Sequence, residues 1–140
     1  MHQAANIVVP AVLFVLLPLA GVAQTSSDYR CVIERVETAN NDTDEKTSYR
    51  SYIGKEFTVE RKTGVMAGAL KNNYVTEPYV VDFGSNENSF KVVTTMRRDQ
   101  GAGAGSNAYI LTVNEYVESE RKPFLFAQND AAFFGYCTHF

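Results

Sequence analysis

Two cysteines, Cys31 and Cys137, constrain the fold of this chain more than any other feature. A bond between them would close a loop of about 107 residues, for which the loop-entropy model gives about 4.7 kcal/mol of stabilisation. The Cα atoms of a disulfide lie within about 7 Å of each other, so the two segments must be neighbours or face each other. The alternative is two unrelated buried thiols, but a pair of cysteines in an exported chain favours the bond.

An apolar leader points to export. It spans residues 7–23, and no Lys, Arg, Asp or Glu occurs before Asp28. Its length suits a signal peptide and is short for a spanning helix of roughly 20 residues. Pro10 and Pro18 each remove a backbone donor, and the small residue Ala23 precedes a suitable cleavage point. We predict a signal peptide over residues 1–23; the alternative is a retained N-terminal anchor.

The remaining residues, 24–140, are long enough for one domain with its own core. The chain has 13 basic and 16 acidic residues and a formal net charge of −3. That balance argues against a nucleic-acid partner, because such binders carry a basic stripe. We therefore expect a single secreted or periplasmic domain that is not stably inserted in a membrane once the leader has been removed.

Short alternating apolar segments, separated by turn residues, predict β-strands throughout the domain. They cover residues 29–33, 57–59, 65–70, 79–83, 90–97, 109–113, 124–126 and 133–138. The pattern predicts an all-β fold: a small antiparallel meander of about eight strands that closes as a barrel or sandwich, with its first and last strands joined by the disulfide. Residues 49–57 are ambiguous and could hold a helical turn, whereas 37–46 and 100–106 read as solvent loops.

The residues that catalysis or metal binding needs are scarce. His139 is the only histidine after the leader, and a residue so near the chain end is usually poorly held. The Gly101, Gly103 and Gly105 series lacks the spacing of a dinucleotide fingerprint. Glu115 lies among charged residues and reads as a surface pairing group. We expect no catalytic residue, no metal ligand and no cofactor, and thus a protein that is not an enzyme.

Aromatic residues are the best binding candidates, because eight Tyr and nine Phe exceed what one inner sheet face requires. The alternative is a core supplemented by tyrosines with hydrated hydroxyl groups. The candidate binding residues are Tyr79, Tyr109, Tyr116, Phe134 and Tyr136, together with Ser106 in the glycine-rich loop. We expect a non-catalytic binding or protein-interaction module whose partner is an unknown protein or a small apolar ligand; a ligand carrier with a barrel cavity is the alternative.

The chain has Tyr29 and Cys31 near the mature start, Cys137 near the end and short strands between them. This frame resembles that of small periplasmic β-barrel inhibitors of c-type lysozyme. The resemblance covers the two termini and implies a protein that blocks an enzyme by inserting a loop. The Ser-Gly-x-x-Tyr type of inhibitory motif is not clearly present, since residues 105–109 share only its composition.

The end of the chain also resembles the closing strand of a bacterial outer-membrane barrel, because Phe134, Tyr136 and Phe140 alternate toward a terminal Phe. Lys91 and Arg97 argue against this reading, since both occupy one face of another predicted strand and are too charged for lipid.

Overall fold

The computed structural model describes residues 27–39, 48–103 and 105–140; the predicted signal peptide lies outside them. The described residues form eight strands: β1 Tyr29–Thr38, β2 Glu56–Val59, β3 Met66–Gly68, β4 Tyr79–Phe83, β5 Phe90–Met96, β6 Asn107–Val113, β7 Lys122–Gln128 and β8 Ala131–His139. A helical turn includes residues 48–50, and a short 3-10 turn, Arg98–Gln100, follows β5. No helix in these ranges is long and apolar enough to cross a membrane.

The eight strands form one antiparallel sheet in the order β3-β2-β1-β8-β7-β6-β5-β4. The prediction of an all-β meander whose first and last strands are neighbours is confirmed. The sheet is strongly curled into a half-barrel, and its ladder ends at β3 on one side and β4 on the other. We call the gap between β3 and β4 the seam.

A disulfide joins the first and last strands, as the sequence predicts. Cys31 on β1 lies directly opposite Cys137 on β8, with an S–S distance of 2.01 Å and a Cα–Cα distance of 3.9 Å. Both side chains are fully buried, and 106 positions separate them in sequence. The bond therefore links the two strands that are farthest apart along the chain.

The β1–β8 pairing contains a register shift between Ile33 and Arg35. At this point Gly135 lies so close to β1 that an added Cβ would stand 1.9 Å from the carbonyl oxygen of Val32 and 2.9 Å from the Phe124 ring. Only glycine permits this approach, since a Cβ would require the backbone itself to move.

Aromatic rings fill the interior of the curled sheet. Tyr29 packs on Phe90 with ring centroids 5.2 Å apart, and Phe57 meets Phe124 at 5.1 Å. These pairs join opposite parts of the sheet, β1 with β5 and β2 with β7, so the curl brings the inner faces into contact. The packed interior thus consists of side chains from both halves of the sheet.

Side chains close the seam in place of a strand ladder. The Nε and Nη2 atoms of Arg61, in the β2–β3 turn, donate to the Phe83 carbonyl at 2.9 and 2.6 Å, and Nη2 also donates to the Gly84 carbonyl at 3.1 Å. The buried side chain of Asn72 accepts from the Met66 amide at 2.9 Å and donates to the Gly64 carbonyl at 2.8 Å. These bonds satisfy polar groups at the ends of the ladder that no neighbouring strand reaches.

Candidate functional site

Exposed apolar side chains concentrate in the stretch of chain that leads into β4 and includes it. Ten large hydrophobic residues are exposed in the described part of the chain, and five of them lie within residues 74–83: Tyr74, Val75, Tyr79, Val81 and Phe83. Single exposed apolar residues are ordinary on protein surfaces, whereas a concentration of them marks an interaction site. The first candidate surface is therefore this stretch.

Strand β4 presents three of these side chains, which we call the β4 edge: Tyr79, Val81 and Phe83, with exposed fractions of 70%, 53% and 56%. A register shift between Val80 and Asp82 interrupts the pairing with β5. The three exposed side chains alternate along the strand with Val80 and Asp82, which are half-buried. Within the described residues β5 is the only strand that pairs with β4, so no further strand covers these side chains.

A groove of about 570 Å³ runs between the β4 edge and the β2–β3 turn. Tyr79, Val80 and Phe83 form its apolar side, while Lys62 and Glu77 supply one charge of each sign. We call it the seam groove. Its shape and lining suit an apolar side chain held by contact rather than by charge, because the two charges are balanced.

The backbone of β4 is less available than its side chains. Arg61 already occupies the outward carbonyl groups of Phe83 and Gly84, and Pro78, which has no N–H, precedes the strand. Bulges, prolines and basic side chains are devices that keep edge strands from pairing with other chains. The exposed feature of this surface is therefore its side chains rather than its backbone.

The outer face of β8 carries a second surface, which we call the arginine–aromatic stripe. Guanidinium carbons lie over ring centroids in three places: Arg35 over Phe134 at 3.8 Å, Arg121 over Tyr136 at 4.2 Å and Arg30 over Phe140 at 4.9 Å. Such stacks leave the edges of a guanidinium free for hydrogen bonds. Each exposed ring is thereby shielded on one face.

Carboxylates balance most of the charge in the stripe. Arg121 Nη2 bonds Glu34 Oε1 at 2.7 Å, and Arg35 Nη1 bonds Glu37 Oε1 at 3.2 Å. A small hollow of about 220 Å³ lies between Phe134 and Tyr136 beside this network. The stripe is therefore an ordered surface of near-balanced charge, which makes it a weaker binding candidate than the exposed β4 edge.

A polar cluster lies at the end of the half-barrel where β1 begins and β8 ends. The Tyr29 hydroxyl donates to Glu115 Oε2 at 2.7 Å, and Glu115 Oε1 lies 2.8 Å from His139 Nε2. Burial and the hydrogen bond to Glu115 raise the pKa of the Tyr29 hydroxyl well above its usual range. Burial acts to raise the pKa of Glu115, but the hydrogen bonds from Tyr29 and His139 outweigh it, so that the pKa of this carboxyl is lowered.

This cluster differs from the sequence expectation for both residues. His139 is held in place, because its Nδ1 lies 3.0 Å from the Ser27 carbonyl oxygen and its ring stacks on Tyr29 at 4.7 Å. Glu115 pairs with Tyr29 and His139 rather than with neighbouring basic surface residues. Both imidazole nitrogens therefore lie within hydrogen-bond distance of an oxygen atom.

The structure places the six predicted binding residues in several regions. Tyr79 lies on the β4 edge, while Phe134 and Tyr136 come together in the stripe. Tyr116 lies in the β6–β7 connection and is 47% exposed, and Ser106 is exposed just before β6.

Tyr109 is only 6% exposed and stacks against Phe126, with ring centroids 6.1 Å apart. Its ring is therefore part of the core. The six residues do not form one surface.

Sequence reasoning missed the arginines of the stripe and the role of Arg61 at the seam. Strict alternation would put Arg30 and Arg35 on opposite faces of β1, because they are five positions apart, and the register shift between Ile33 and Arg35 brings both to the outer face. Their stacking partners on β8 become apparent only once the β1–β8 register is known, since Arg35 lies directly opposite Phe134.

Comparison with known proteins adds no relative: no protein-family model, curated protein or solved structure matches this chain. The fold itself defines a class, a small all-β domain with one disulfide between its first and last strands. The apolar surface beside the seam is the feature of this domain that most resembles a binding site.

Proposed function

We propose that this protein is a secreted or periplasmic, non-catalytic domain that binds another protein through the β4 edge and the seam groove. One observation carries the proposal: of the ten exposed large hydrophobic side chains in the described residues, three lie together on the edge strand β4, namely Tyr79, Val81 and Phe83. Full burial of one exposed apolar side chain contributes about 1.5–3 kcal/mol. A partner protein that covers several of these side chains therefore gains binding free energy.

The side chains of the β4 edge have the chemistry of a protein interface. Tyr and Phe are enriched at interface centres, where they fill pockets of the partner. Because Arg61 blocks part of the β4 backbone, the occupant that fits is a partner segment whose apolar side chain enters the seam groove.

The buried disulfide supports the proposal that the protein is located in an oxidising compartment. Disulfides persist in secreted and periplasmic proteins and are rare in the reducing cytosol. The apolar leader in the sequence supports export independently of the disulfide.

The test compares two paired variants of the oxidised domain, residues 24–140. Tyr79→Ala/Phe83→Ala removes the β4 edge, and Ile53→Ala/Ile110→Ala removes two other exposed apolar side chains as the matched control. Each protein is immobilised and exposed to envelope and secreted extracts, and captured proteins are identified and titrated. We expect a partner that binds the wild type and the control but binds the edge variant about thirtyfold more weakly or not at all.

Equal binding by the edge variant would refute the proposed surface, as would equal losses in both variants. Circular dichroism and retention of the disulfide show that each variant is folded.

A small apolar ligand is the second candidate, because the seam groove of about 570 Å³ falls in the size range of ligand pockets. The interior itself is filled by aromatic pairs such as Tyr29 with Phe90, so such a ligand would bind at the groove. Stoichiometric binding of an apolar dye, displaced by a fatty acid and lost in Tyr79→Ala/Phe83→Ala, would support this function over protein binding.

The resemblance to lysozyme inhibitors keeps a further contact surface open, the β5–β6 connection with its exposed Ser106. Deletion of residues 101–105 should leave the melting temperature nearly unchanged. Unchanged partner binding in the same variant would rule out this loop.

A further inference from the structure

We propose that His139 is a proton-dependent clamp: its imidazolium form ties the segment before β1 to the β6–β7 connection, and loss of one proton releases that segment. The clamp is independent of the binding surface at the β4 edge.

The clamp follows from the count of donors and acceptors around one ring. Nδ1 of His139 lies 3.0 Å from the Ser27 carbonyl oxygen, and Nε2 lies 2.8 Å from Glu115 Oε1. A carbonyl oxygen and a carboxylate only accept hydrogen bonds, so both ring nitrogens must donate. A neutral imidazole has one N–H and can satisfy only one of the two partners.

Glu115 cannot resolve this conflict at higher pH. Its second oxygen already accepts the Tyr29 hydroxyl at 2.7 Å, so both carboxylate oxygens act as acceptors in the ionised form. The lowered pKa of Glu115 agrees with a carboxylate facing an imidazolium. If the shared proton lay on Glu115 instead, the pair would still hold the same number of protons, and removal of one would break a contact in either case.

The other charged groups around the clamp fix what it holds. Arg61, from the β2–β3 turn, lies 5.8 Å over the Tyr29 ring and donates its backbone N–H to Asp28 Oδ1 at 2.9 Å. Glu120 lies in the β6–β7 connection, and together with His139 it lines a hollow at the surface. Asp28 is thus held from one side by Arg61, while His139 holds the preceding residue, Ser27.

Two backbone amides report whether this segment is in place. The Phe140 amide donates to the Asp28 carbonyl at 3.1 Å, and the Arg61 amide donates to Asp28 Oδ1. The Met66 amide is a matched control, because it also donates to a side-chain oxygen, that of Asn72, but its strand β3 is three strands away from β8 and His139.

The experiment is amide hydrogen exchange of the oxidised domain, read by NMR from pH 6 to pH 8.5 and corrected for intrinsic rates. We expect protection of the Phe140 and Arg61 amides to fall about tenfold as pH rises, the value for loss of one hydrogen bond to a charged group, while the Met66 amide stays constant. Parallel changes at all three amides would overturn the proposal.

Glu115→Gln provides the decisive variant. A glutamine amide can donate to Nε2 of a neutral imidazole, whose Nδ1–H still reaches Ser27, while its oxygen still accepts from Tyr29. Protection in this variant should therefore stay high at pH 8.5. Persistence of the full pH dependence in Glu115→Gln would refute the clamp, and if this variant does not fold, the comparison of Arg61 with Met66 in the wild type decides.

Discussion

Removal of the disulfide should destabilise this domain through the unfolded state rather than the folded one. Cys31 and Cys137 are 106 positions apart, and a loop of this length corresponds to about 4.7 kcal/mol of lost chain entropy when it is closed. A domain of this size is stable by about 5–15 kcal/mol, so the bond is a large share of the total. In urea unfolding, Cys31→Ala/Cys137→Ala should be less stable than the oxidised wild type by at least about 4 kcal/mol.

Cavity formation would confound this comparison on its own, because the alanines also leave small cavities at two fully buried positions. A circular permutant separates the effects. The Phe140 amide bonds the Asp28 carbonyl at 3.1 Å, so a linker of about six residues can join residue 140 to residue 27. New ends between Asn73 and Tyr74, both exposed, then put the strands in sheet order.

In the permutant the same bond, in the same surroundings, closes a loop of only about 15 residues and is worth about 3 kcal/mol. The cost of the double alanine substitution should therefore drop by about 1.7 kcal/mol relative to the native order, while the cavity contribution cancels. An equal cost in both chain orders would refute the entropic account and place the stabilisation in native contacts. The oxidised permutant, with its unchanged fold checked by circular dichroism, is the reference for that measurement.

Two further predictions concern packing and pH. Gly135→Ala should destabilise the domain by at least about 3 kcal/mol in urea unfolding, because the new Cβ would lie 1.9 Å from the Val32 carbonyl oxygen. Gly105→Ala is the control. A loss of stability below about 1 kcal/mol in Gly135→Ala, no greater than that of the control, would contradict the tight approach. The lowered pKa of Glu115 means that its carboxylate stabilises the fold above its unfolded-state value of about 4.3, and that this contribution is lost as pH falls below it. The stability advantage of the wild type over Glu115→Gln should therefore shrink between pH 6 and pH 2.5, and an advantage that stays constant would disprove the assigned pairing.

Local patterns and the disulfide were sufficient to predict the strands and the pairing of the first strand with the last. Alternation along β5 and β8 and the turn residues between strands mark the elements, while the distance limit of a disulfide requires the first and last strands to be close. These inferences need only short-range rules and one covalent link. The predicted solvent loop over residues 37–46 begins two positions early, since Glu37 and Thr38 still pair with β8.

The position of the seam could not be predicted, because it depends on contacts distant in sequence. Nothing in β3 or β4 shows that these successive strands do not pair. The ends of the ladder are instead satisfied by Arg61 and Asn72, each acting across the gap or within a connection. Such side-chain bonds leave no periodic signal.

The candidate site was predictable only in part. An excess of aromatic residues correctly indicates that some lie outside the core, as Tyr79 does. In β6, however, Tyr109 and Ile110 are both suitable for either face, and the structure buries the tyrosine and exposes the isoleucine. The fixed position of the His139 side chain was not predictable for a similar reason, because its place near the chain end does not indicate that Tyr29 and Glu115 contact it.

The pairing of β1 with β8, which joins the two parts of the sheet, also determines the order in which the domain can assemble during synthesis. Until the ribosome has made β8, the nascent chain can assemble only two separate pieces, β1 to β3 and β4 to β7, each with one apolar face uncovered. Neither piece can complete the domain, so the polypeptide remains loose until its last strand emerges. For the export proposed above, in which the chain would cross a translocation channel unfolded, this topology would keep the domain incomplete until its last strand has crossed.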